Sequence, residues 1–379
     1  MARIRTDIET FAKIKVIGVG GGGGNGVNRM VAGKIRGVEF VVVNADAQDL
    51  NQCTAPTKVL IGKNLTKGLG AGMNPDIGRQ SAEENRDEIH EVVKGADMIF
   101  VCAGMGGGVG TGAAPVVAEA AKEAGALTIG VVTKPFTFEG AQRQRIAENG
   151  LKNLKEKVDT LITIPNDRIF QVIDKKVTML NAFSIVDDIL RQGVQGISEL
   201  ITVPGIVNVD FADVKAIMQD AGSALMGIGR ATGENRAIDA AKAAINSPLL
   251  ELSIDGAQGV LFNVSGGPDT SMIEINDAAS IVTETIDPEA KVIFGAVVDP
   301  ELKKGEIKVT VVATGFEGEG LVERKKVSES PMEASPIESE SEPLTPEREP
   351  FKIDAEARIS EEDEDELLDI PAFIRKKMK

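Results

Sequence analysis

Apolar runs rich in β-branched residues alternate with stretches of helical periodicity through the first half of the chain. The runs predict buried strands and the stretches between them predict amphipathic helices. Strands that alternate with helices are typical of a parallel sheet covered on both faces, which binds ligands at the carboxyl ends of its strands. We expect strands at 13–19, 38–46, 96–104, 126–133 and 158–167, and helices at 25–35, 75–93 and 113–124.

The pattern then changes to one long helical stretch. Apolar residues recur at helical spacing from about 178 to 202, and Pro204 and Gly205 end the pattern. A further helix is expected at 211–223. From residue 224 onward the pattern predicts a smaller α+β unit, with strands at 259–266, 291–299 and 306–315 and helices at 235–246 and 276–287.

The last part of the chain, 317–379, loses this periodicity and is rich in Glu, Ser and Pro. Six consecutive acidic residues occur at 361–366. A segment of this composition buries too little apolar surface to fold alone, so we expect it to be disordered. Its end differs, because LLDIPAFIRKK at 367–377 gathers apolar residues and then positive charge. That run suits a peptide that docks in a partner groove, and a frayed solubilising terminus is the simpler alternative.

Composition excludes several classes of protein. The 58 acidic residues outnumber the 42 basic ones, and the resulting charge of −16 argues against a nucleic-acid partner. Cys53 and Cys102 fit neither a disulfide framework nor a metal-ligand spacing, which indicates a reducing compartment. The first residues lack a signal-peptide core, and no apolar run approaches the length of a membrane span. We therefore expect a cytoplasmic protein without direct membrane insertion.

Two glycine-rich runs carry the strongest functional signal. GVGGGGGNG at 18–26 and GMGGGVGTG at 104–112 each follow a predicted strand and open a helix. Glycines there let the backbone approach a phosphate and aim N–H groups at it, and the helix N-terminus adds partial positive charge. The first run alone also fits a tight turn or a dinucleotide site. Two such loops can grip one polyphosphate from two sides, and no P-loop motif is present in the sequence.

Together with other motifs, these runs resemble the signature of the tubulin/FtsZ family of GTPases. The resemblance is to the bacterial cell-division branch rather than to eukaryotic tubulin. It implies a tubulin/FtsZ-like parallel-sheet GTPase domain, a long central helix, a smaller α+β domain and a disordered acidic tail. The motifs that carry it are GGGGGN (20–25), GMGGGVGTGAAP (104–115), TKPFTFEG (133–140), LITIPND (161–167), ELITVPGIVNVDFADV (199–214), VTVVATG (309–315) and DIPAFIRKK (369–377).

The resemblance divides the chain into six regions. They are an N-terminal lead (1–12), a GTP-binding domain (13–177), the central helix with the catalytic loop (178–223), the C-terminal α+β domain (224–316), a disordered linker (317–364) and a partner-binding peptide (365–379).

The resemblance also implies that the protein binds GTP or GDP with Mg²⁺. The phosphates would be held by Gly21, Gly22, Gly23, Gly24, Asn25, Gly104, Gly107, Gly108, Val109, Gly110, Thr111 and Gly112. Val109 stands where the signature normally has Thr, so one hydroxyl that can bond a phosphate oxygen is lost.

The rest of the implied nucleotide site comes from strand ends and the central helix. Asn44 and Asp46 would line the pocket, Thr133, Pro135, Glu139 and Arg143 would lie on the sugar side, and Asn166, Phe183 and Asp187 would meet guanine. Spacing alone favours simpler interpretations for some of these residues. Glu139 and Arg143, four apart, read as an exposed ion pair, and Phe183 reads as a core residue.

The implied catalytic residues are Asn208, Asp210 and Asp213. Taken alone, Asp210 and Asp213 read as a helix cap and a first-turn acid. In the family this loop polarises the attacking water at the nucleotide of the next subunit. Mg²⁺ has no certain protein ligand, since the phosphates would mainly hold it, with Asp210 or Asp213 of the next subunit as candidates.

The implied function is a GTP-dependent polymerising protein that scaffolds the bacterial division ring at mid-cell. Its partners would be further copies in head-to-tail filaments and, at peptide 365–379, membrane-tethering and regulatory division proteins such as FtsA. Three alternatives stay open. They are a dinucleotide-binding enzyme, a tubulin-like filament for DNA segregation or cell shape, and a nucleotide-binding homologue that hydrolyses poorly because of Val109.

Overall fold

The computed structural model describes residues 12–171, 177–203, 205–247, 250, 254, 256–299 and 302–316. The predicted linker, the C-terminal peptide and nearly all of the N-terminal lead lie outside the described residues. Among the helices that are described, none is both long and apolar enough to cross a membrane.

The described strands form one mixed sheet in the order β3-β2-β1-β4-β5-β6-β7-β10-β8-β9. Strands β1 to β6 are parallel to their neighbours, which confirms the predicted parallel sheet. Strand β7 is parallel to β6 and antiparallel to β10, and β8 is antiparallel to β10 and parallel to β9. The strands are β1 Ile14–Val19, β2 Val38–Asn44, β3 Thr57–Leu60, β4 Met98–Gly104, β5 Leu127–Lys134, β6 Thr160–Pro165, β7 Gly222–Thr232, β8 Gly259–Gly266, β9 Lys291–Val298 and β10 Glu306–Thr314.

Helices cover both faces of the sheet, and the long central helix occurs where its periodicity predicts it. The helices are α1 Gly20–Ala32, α2 Ala47–Gln52, α3 Lys63–Thr66, α4 Pro75–Glu84, α5 Arg86–Val93, α6 Val109–Glu123, α7 Ala141–Lys155, α8 Met179–Thr202, α9 Phe211–Met218, α10 Arg236–Ile245 and α11 Met272–Thr283. Short 3-10 helices occupy Thr137–Glu139 and Asn166–Gln171.

The strand β1 shows why the parallel part of the sheet is apolar on both faces. Val16 belongs to the core that α1 and α8 cover, and the next residue, Ile17, belongs to the core that α4 to α7 cover. Successive side chains of a strand point to opposite faces, so a strand covered on both sides must be apolar throughout. A third core lies between β8, β10 and the helices α10 and α11.

Several helix boundaries differ from the prediction, and each difference has a local cause. Both glycine runs form helical turns, so α1 begins at Gly20 rather than at 25 and α6 begins at Val109 rather than at 113. The predicted helix 75–93 is two helices, because Asn85 leaves the helical conformation and accepts a hydrogen bond from Gly62 N at 2.9 Å. Helix α11 begins four residues early, where Ser271 and Glu274 form a capping box.

Candidate functional site

A cleft of about 610 Å³ opens at one edge of the parallel sheet. The residues at the carboxyl ends of five strands line it, namely Val19, Asn44, Gly104, Thr133 and Asn166. This edge is where parallel α/β sheets bind ligands, because the strand ends and the following helix N-termini converge there. The cleft is large enough for a nucleotide, since ligand pockets measure about 300–1,000 Å³.

Most of the residues predicted to hold a nucleotide meet in this cleft. Those that line it are Gly21, Gly22, Asn25, Asn44, Asp46, Gly104, Gly107, Gly108, Val109, Gly110, Thr133, Pro135, Glu139, Arg143, Asn166, Phe183 and Asp187.

The other four predicted residues, Gly23, Gly24, Thr111 and Gly112, do not line the cleft. A Cβ on Gly23 would collide with the carbonyl of Cys102, and one on Gly112 would collide with the carbonyl of Pro75. The Thr111 hydroxyl accepts a hydrogen bond from Gly106 N at 2.9 Å. These residues therefore support the two glycine-rich loops through packing on the side away from the cleft. The Thr111 hydroxyl is already hydrogen-bonded within the second loop.

The far end of the cleft combines an amide, a ring and a carboxyl group. Asn166 is buried, and its Oδ1 accepts no hydrogen bond from the residues that the structure describes. Phe183 is 38% exposed and faces the cleft, so the core interpretation from spacing alone is wrong. Burial raises the pKa of Asp187 to about 6, although the nearby charge of Arg29 opposes this rise.

Two further lining residues of the cleft, Glu139 and Arg143, hold each other in place by hydrogen bonds. Arg143 Nη1 donates to Glu139 Oε2 at 2.5 Å, and Phe136 N donates to Glu139 Oε1 at 2.9 Å. The side chain of Glu139 is only 13% exposed, so this is not the exposed surface pair that spacing alone favours. Arg143 Nε is buried and donates to no described residue, so it remains free to donate to a ligand.

Sequence reasoning missed part of the lining. It comprises Val19, Asp49, Leu69, Gly70, Ala71, Gly72, Met105, Val186 and Leu190. The segment GLGAG at 68–72 carries a usable signal, because its glycines at 68, 70 and 72 all have positive φ. Asp49 carries none, since a single acid in a short helix has no characteristic pattern.

The predicted catalytic residues lie outside the cleft and are exposed. Asp210 Oδ1 accepts from Asp213 N at 2.7 Å and caps α9, as the sequence alone suggested. Asn208 Oδ1 accepts from Gly205 N at 2.6 Å.

The helix α8 separates this loop from the cleft. Asp187 near its start lines the cleft, whereas Thr202 at its end donates to Arg36 O at 3.2 Å, just before β2 begins. At about 1.5 Å per residue, the fifteen residues between them span roughly 22 Å. Helix α9 also ends at the start of β6, where the Thr160 hydroxyl donates to Met218 O. The loop therefore lies at the amino edge of the sheet, opposite the cleft.

Comparison with known proteins assigns two regions of the chain to known domain families. Residues 13–174 match the GTPase domain of the tubulin/FtsZ family, and residues 222–317 match the C-terminal domain of the FtsZ family. The empty FtsZ dimer from M. jannaschii is 45% identical, with a TM-score of 0.79, over 81% of this chain and 89% of that one. The chain belongs to the FtsZ family. The protein is therefore a GTPase that binds GTP and GDP, and the dinucleotide-enzyme alternative is wrong.

Two further solved structures are similar to this chain. A point mutant of M. jannaschii FtsZ is 46% identical, with a TM-score of 0.78, over 81% of this chain and 92% of that one. CetZ2 from Haloferax volcanii, solved as a GTPγS-bound protofilament, is 25% identical, with a TM-score of 0.69, over 80% of this chain and 93% of that one. The tubulin/FtsZ fold expected from the sequence is confirmed.

The cleft has features that suit the phosphates and polar groups of a nucleotide. The N-termini of α1 and α6 meet there, and a Cβ on Gly20 would lie 2.7 Å from Gly110 N. Converging helix N-termini favour phosphate. Among the described residues, Asn166 Oδ1 and Arg143 Nε have no hydrogen-bond partner, so both can bond a ligand, because buried polar atoms require partners.

Proposed function

We propose that this protein assembles head to tail and hydrolyses GTP between subunits. One subunit binds GTP through the predicted residues of the cleft, and the next supplies Asn208, Asp210 and Asp213. The observation that carries this proposal is the placement of cleft and loop at opposite ends of α8. A loop about 20 Å from its own cleft can act on GTP only in another molecule.

A contact between these two ends joins different surfaces, so it propagates into an open filament unless the rotation closes a ring. Both ends expose large apolar side chains. Leu69 at the cleft is 81% exposed, and Ile206 beside the loop is 53% exposed. Exposed apolar groups of this size favour a protein contact. The solved relatives described as a dimer and a protofilament support assembly by this fold.

The chemistry divides between the two subunits. In the first, backbone N–H groups at the starts of α1 and α6 stabilise the charge that develops on the phosphates. In the second, the carboxylates of Asp210 and Asp213 accept hydrogen bonds from the attacking water and orient it in line with the γ-phosphate. Asp210 or Asp213 would be the candidate protein ligands of Mg²⁺, which would otherwise be held by the phosphates and would supply neutralising charge.

The cellular role follows from the family and from the sequence beyond residue 316. We propose that the filaments scaffold the bacterial division ring in the cytoplasm at mid-cell. The linker 317–364 would tether the peptide 365–379, which would bind membrane-tethering and regulatory division proteins such as FtsA. The six-region division of the chain is part of the same proposal.

A subunit-mixing experiment tests the shared site. Asp213→Ala removes the loop acid and leaves the cleft intact. Gly107→Asp puts a carboxylate into the cleft and leaves the loop intact, and a Cβ on Gly107 meets no atom within 4 Å. We expect each variant alone to turn over little GTP, and the mixture to recover turnover at contacts that pair an intact cleft with an intact loop.

Gly107→Ala is the matched control, because it fills the same space without charge and should keep most of the turnover. Turnover per subunit should also rise with protein concentration. A mixture that recovers nothing, together with concentration-independent turnover in the parent protein, would show that one monomer holds the complete site.

A further inference from the structure

The side chains that line the cleft carry a net negative charge, although the proposed ligand is itself a polyanion. Four carboxylates line it, from Asp46, Asp49, Glu139 and Asp187, against the single guanidinium of Arg143. Glu139 and Arg143 pair with each other, so three carboxylates remain. Asp46 caps α2 by accepting from Gln48 N at 2.9 Å, and Asp187 lies at the base end. Asp49 is left without such an assignment.

Asp49 lies against the first turn of α1. A Cβ placed on Gly21 would be 3.2 Å from Asp49 Oδ2, so the carboxylate touches the glycine run that faces the phosphates. The same oxygen accepts from Asn44 Nδ2 at 2.6 Å. In the part of the chain that is described, it forms no ion pair with a cation. Burial and the neighbouring charge of Asp46 raise the pKa of Asp49, as expected for an uncompensated carboxylate.

An anion at a helix N-terminus competes with any second anion that binds there. The Asp49 carboxylate lies beside the first turn of α1, where a phosphate would bind. A phosphate at this turn is repelled by the carboxylate, and the repulsion grows with each phosphate charge.

We propose that Asp49 weakens the binding of nucleotide phosphates and speeds their release. Asp49 lowers the affinity for a nucleotide more strongly the more phosphate charge that nucleotide carries. It does not take part in the chemical step. A filament that turns over after hydrolysis requires GDP to leave, and a built-in repulsion supplies that property. The proposal rests on the assignment of the cleft as the nucleotide site.

Two other roles for Asp49 predict the opposite sign. A carboxylate that accepts a bond from the ribose, or that binds the nucleotide through a metal ion, contributes to affinity, so its removal weakens binding. A carboxylate that repels phosphate costs affinity, so its removal tightens binding. The isosteric change Asp49→Asn separates these cases, because an asparagine oxygen can still accept from the Asn44 amide.

The experiment measures dissociation constants of the full-length protein for GMP, GDP and GTP, first with Mg²⁺, where a metal-bridging carboxylate would contribute to affinity, and again with a chelator. For Asp49→Asn we expect roughly tenfold tighter GTP binding, a smaller gain for GDP and little change for GMP. The release rate of GDP should fall in parallel. Asp239→Asn, on an exposed position of α10 outside the cleft, removes an equal charge and should change nothing.

Unchanged or weaker binding by Asp49→Asn, in a variant with the melting temperature of the parent, would overturn the proposal. A gain of equal size for all three nucleotides would also overturn it, because repulsion must scale with charge. Gly107→Asp serves as the reference for the site. If that variant still binds GTP as tightly as the parent, the cleft assignment fails. If it loses binding and Asp49→Asn gains none, only the role of Asp49 fails.

Discussion

Asp210 Oδ1 accepts a hydrogen bond from Asp213 N at 2.7 Å. One oxygen of Asp210 is thereby committed to capping α9, while the carboxylate of Asp213 points from an exposed first-turn position. The two acids that we assign to one catalytic loop therefore differ in their contribution to stability. Substitutions can separate that structural contribution from catalysis.

We predict that Asp210→Ala lowers the free energy of unfolding by about 1 kcal/mol, because the cap is lost. Asp210→Asn should keep the stability of the parent, since asparagine caps as well as aspartate. Both variants should lose GTP turnover, as should the stable Asp213→Ala. Thermal unfolding and turnover at a filament-forming concentration check these outcomes. Full GTP turnover by Asp210→Asn would show that hydrolysis does not need the negative charge of Asp210.

Val109 provides a second test, because it occupies the first turn of α6 at the cleft and is 8% exposed. Val109→Thr keeps the shape of the side chain and adds the hydroxyl. A hydrogen bond to a charged phosphate is worth about 1.5–3 kcal/mol at most, so we expect roughly ten- to a hundredfold tighter GDP binding. Calorimetric titration measures the change.

The unliganded Val109→Thr protein should melt slightly lower than the parent, since the added hydroxyl is buried without a partner until the phosphate arrives. An equal affinity for GDP in the two proteins would show that the hydroxyl does not reach the ligand.

We predict that Asp187, as the proposed guanine-binding carboxylate, makes nucleotide binding dependent on pH. Its pKa is raised to about 6, and only the ionised carboxylate can accept two N–H groups from guanine. We predict that affinity for GDP falls about tenfold for each pH unit below 6, and that binding near pH 6 releases a proton. Calorimetry in two buffers of different ionisation heat measures the released proton.

The stability of the nucleotide-free protein should respond to Asp187 with the opposite sign. The folded state binds a proton more tightly than the unfolded state between about pH 4 and 6, so this group destabilises the fold as pH rises through that window. Asp187→Asn should abolish both pH effects. A pH dependence of binding that survives this change would assign it to another group.

The sequence predicts best those features that depend on local periodicity. Helix α8, expected at 178–202 and observed at Met179–Thr202, has an apolar face long enough to determine its own boundaries. The strand ends also predicted the edge of the sheet that forms the cleft, because carboxyl ends of parallel strands must share an edge. The predicted cleft residues outside the glycine runs came from the family resemblance.

Features set by distant contacts escaped prediction. The strand β7, GSALMGIGRAT, has too many glycines to look like a strand, and pairing with β6 and β10 holds it in the sheet. The glycine runs read as loops because glycine is a poor helix former, yet close packing such as Gly23 against Cys102 makes them helical. The prediction that Phe183 lies in the cleft came from the family resemblance, because its spacing alone indicated a core residue.

The C-terminal domain contains an ion-pair cluster in which a buried arginine binds two partly exposed carboxylates, and this cluster offers the last test. Arg236 is 6% exposed and donates to Glu274 Oε1 at 2.6 Å and to Asp269 Oδ2 at 2.8 Å. Removing Arg236 leaves both carboxylates without their cation, so Arg236→Met should lower the free energy of unfolding more than the same change at an exposed arginine. Arg230→Met is the matched control, because Arg230 is 43% exposed and pairs with Glu306 at 3.6 Å.

The same cluster predicts a loss of stability in acid. Arg236 lowers the pKa of Glu274 to about 2 from an ordinary value of 4.5. The folded state therefore holds this proton less tightly than the unfolded state, and the stabilisation is complete above pH 4.5 and lost as pH falls towards 2. Denaturant unfolding of the parent and of Arg236→Met at pH 7 and pH 3 should show the difference between them shrinking in acid. Equal costs at both pH values, or an equal cost for Arg230→Met, would show that the cluster stabilises through packing rather than charge.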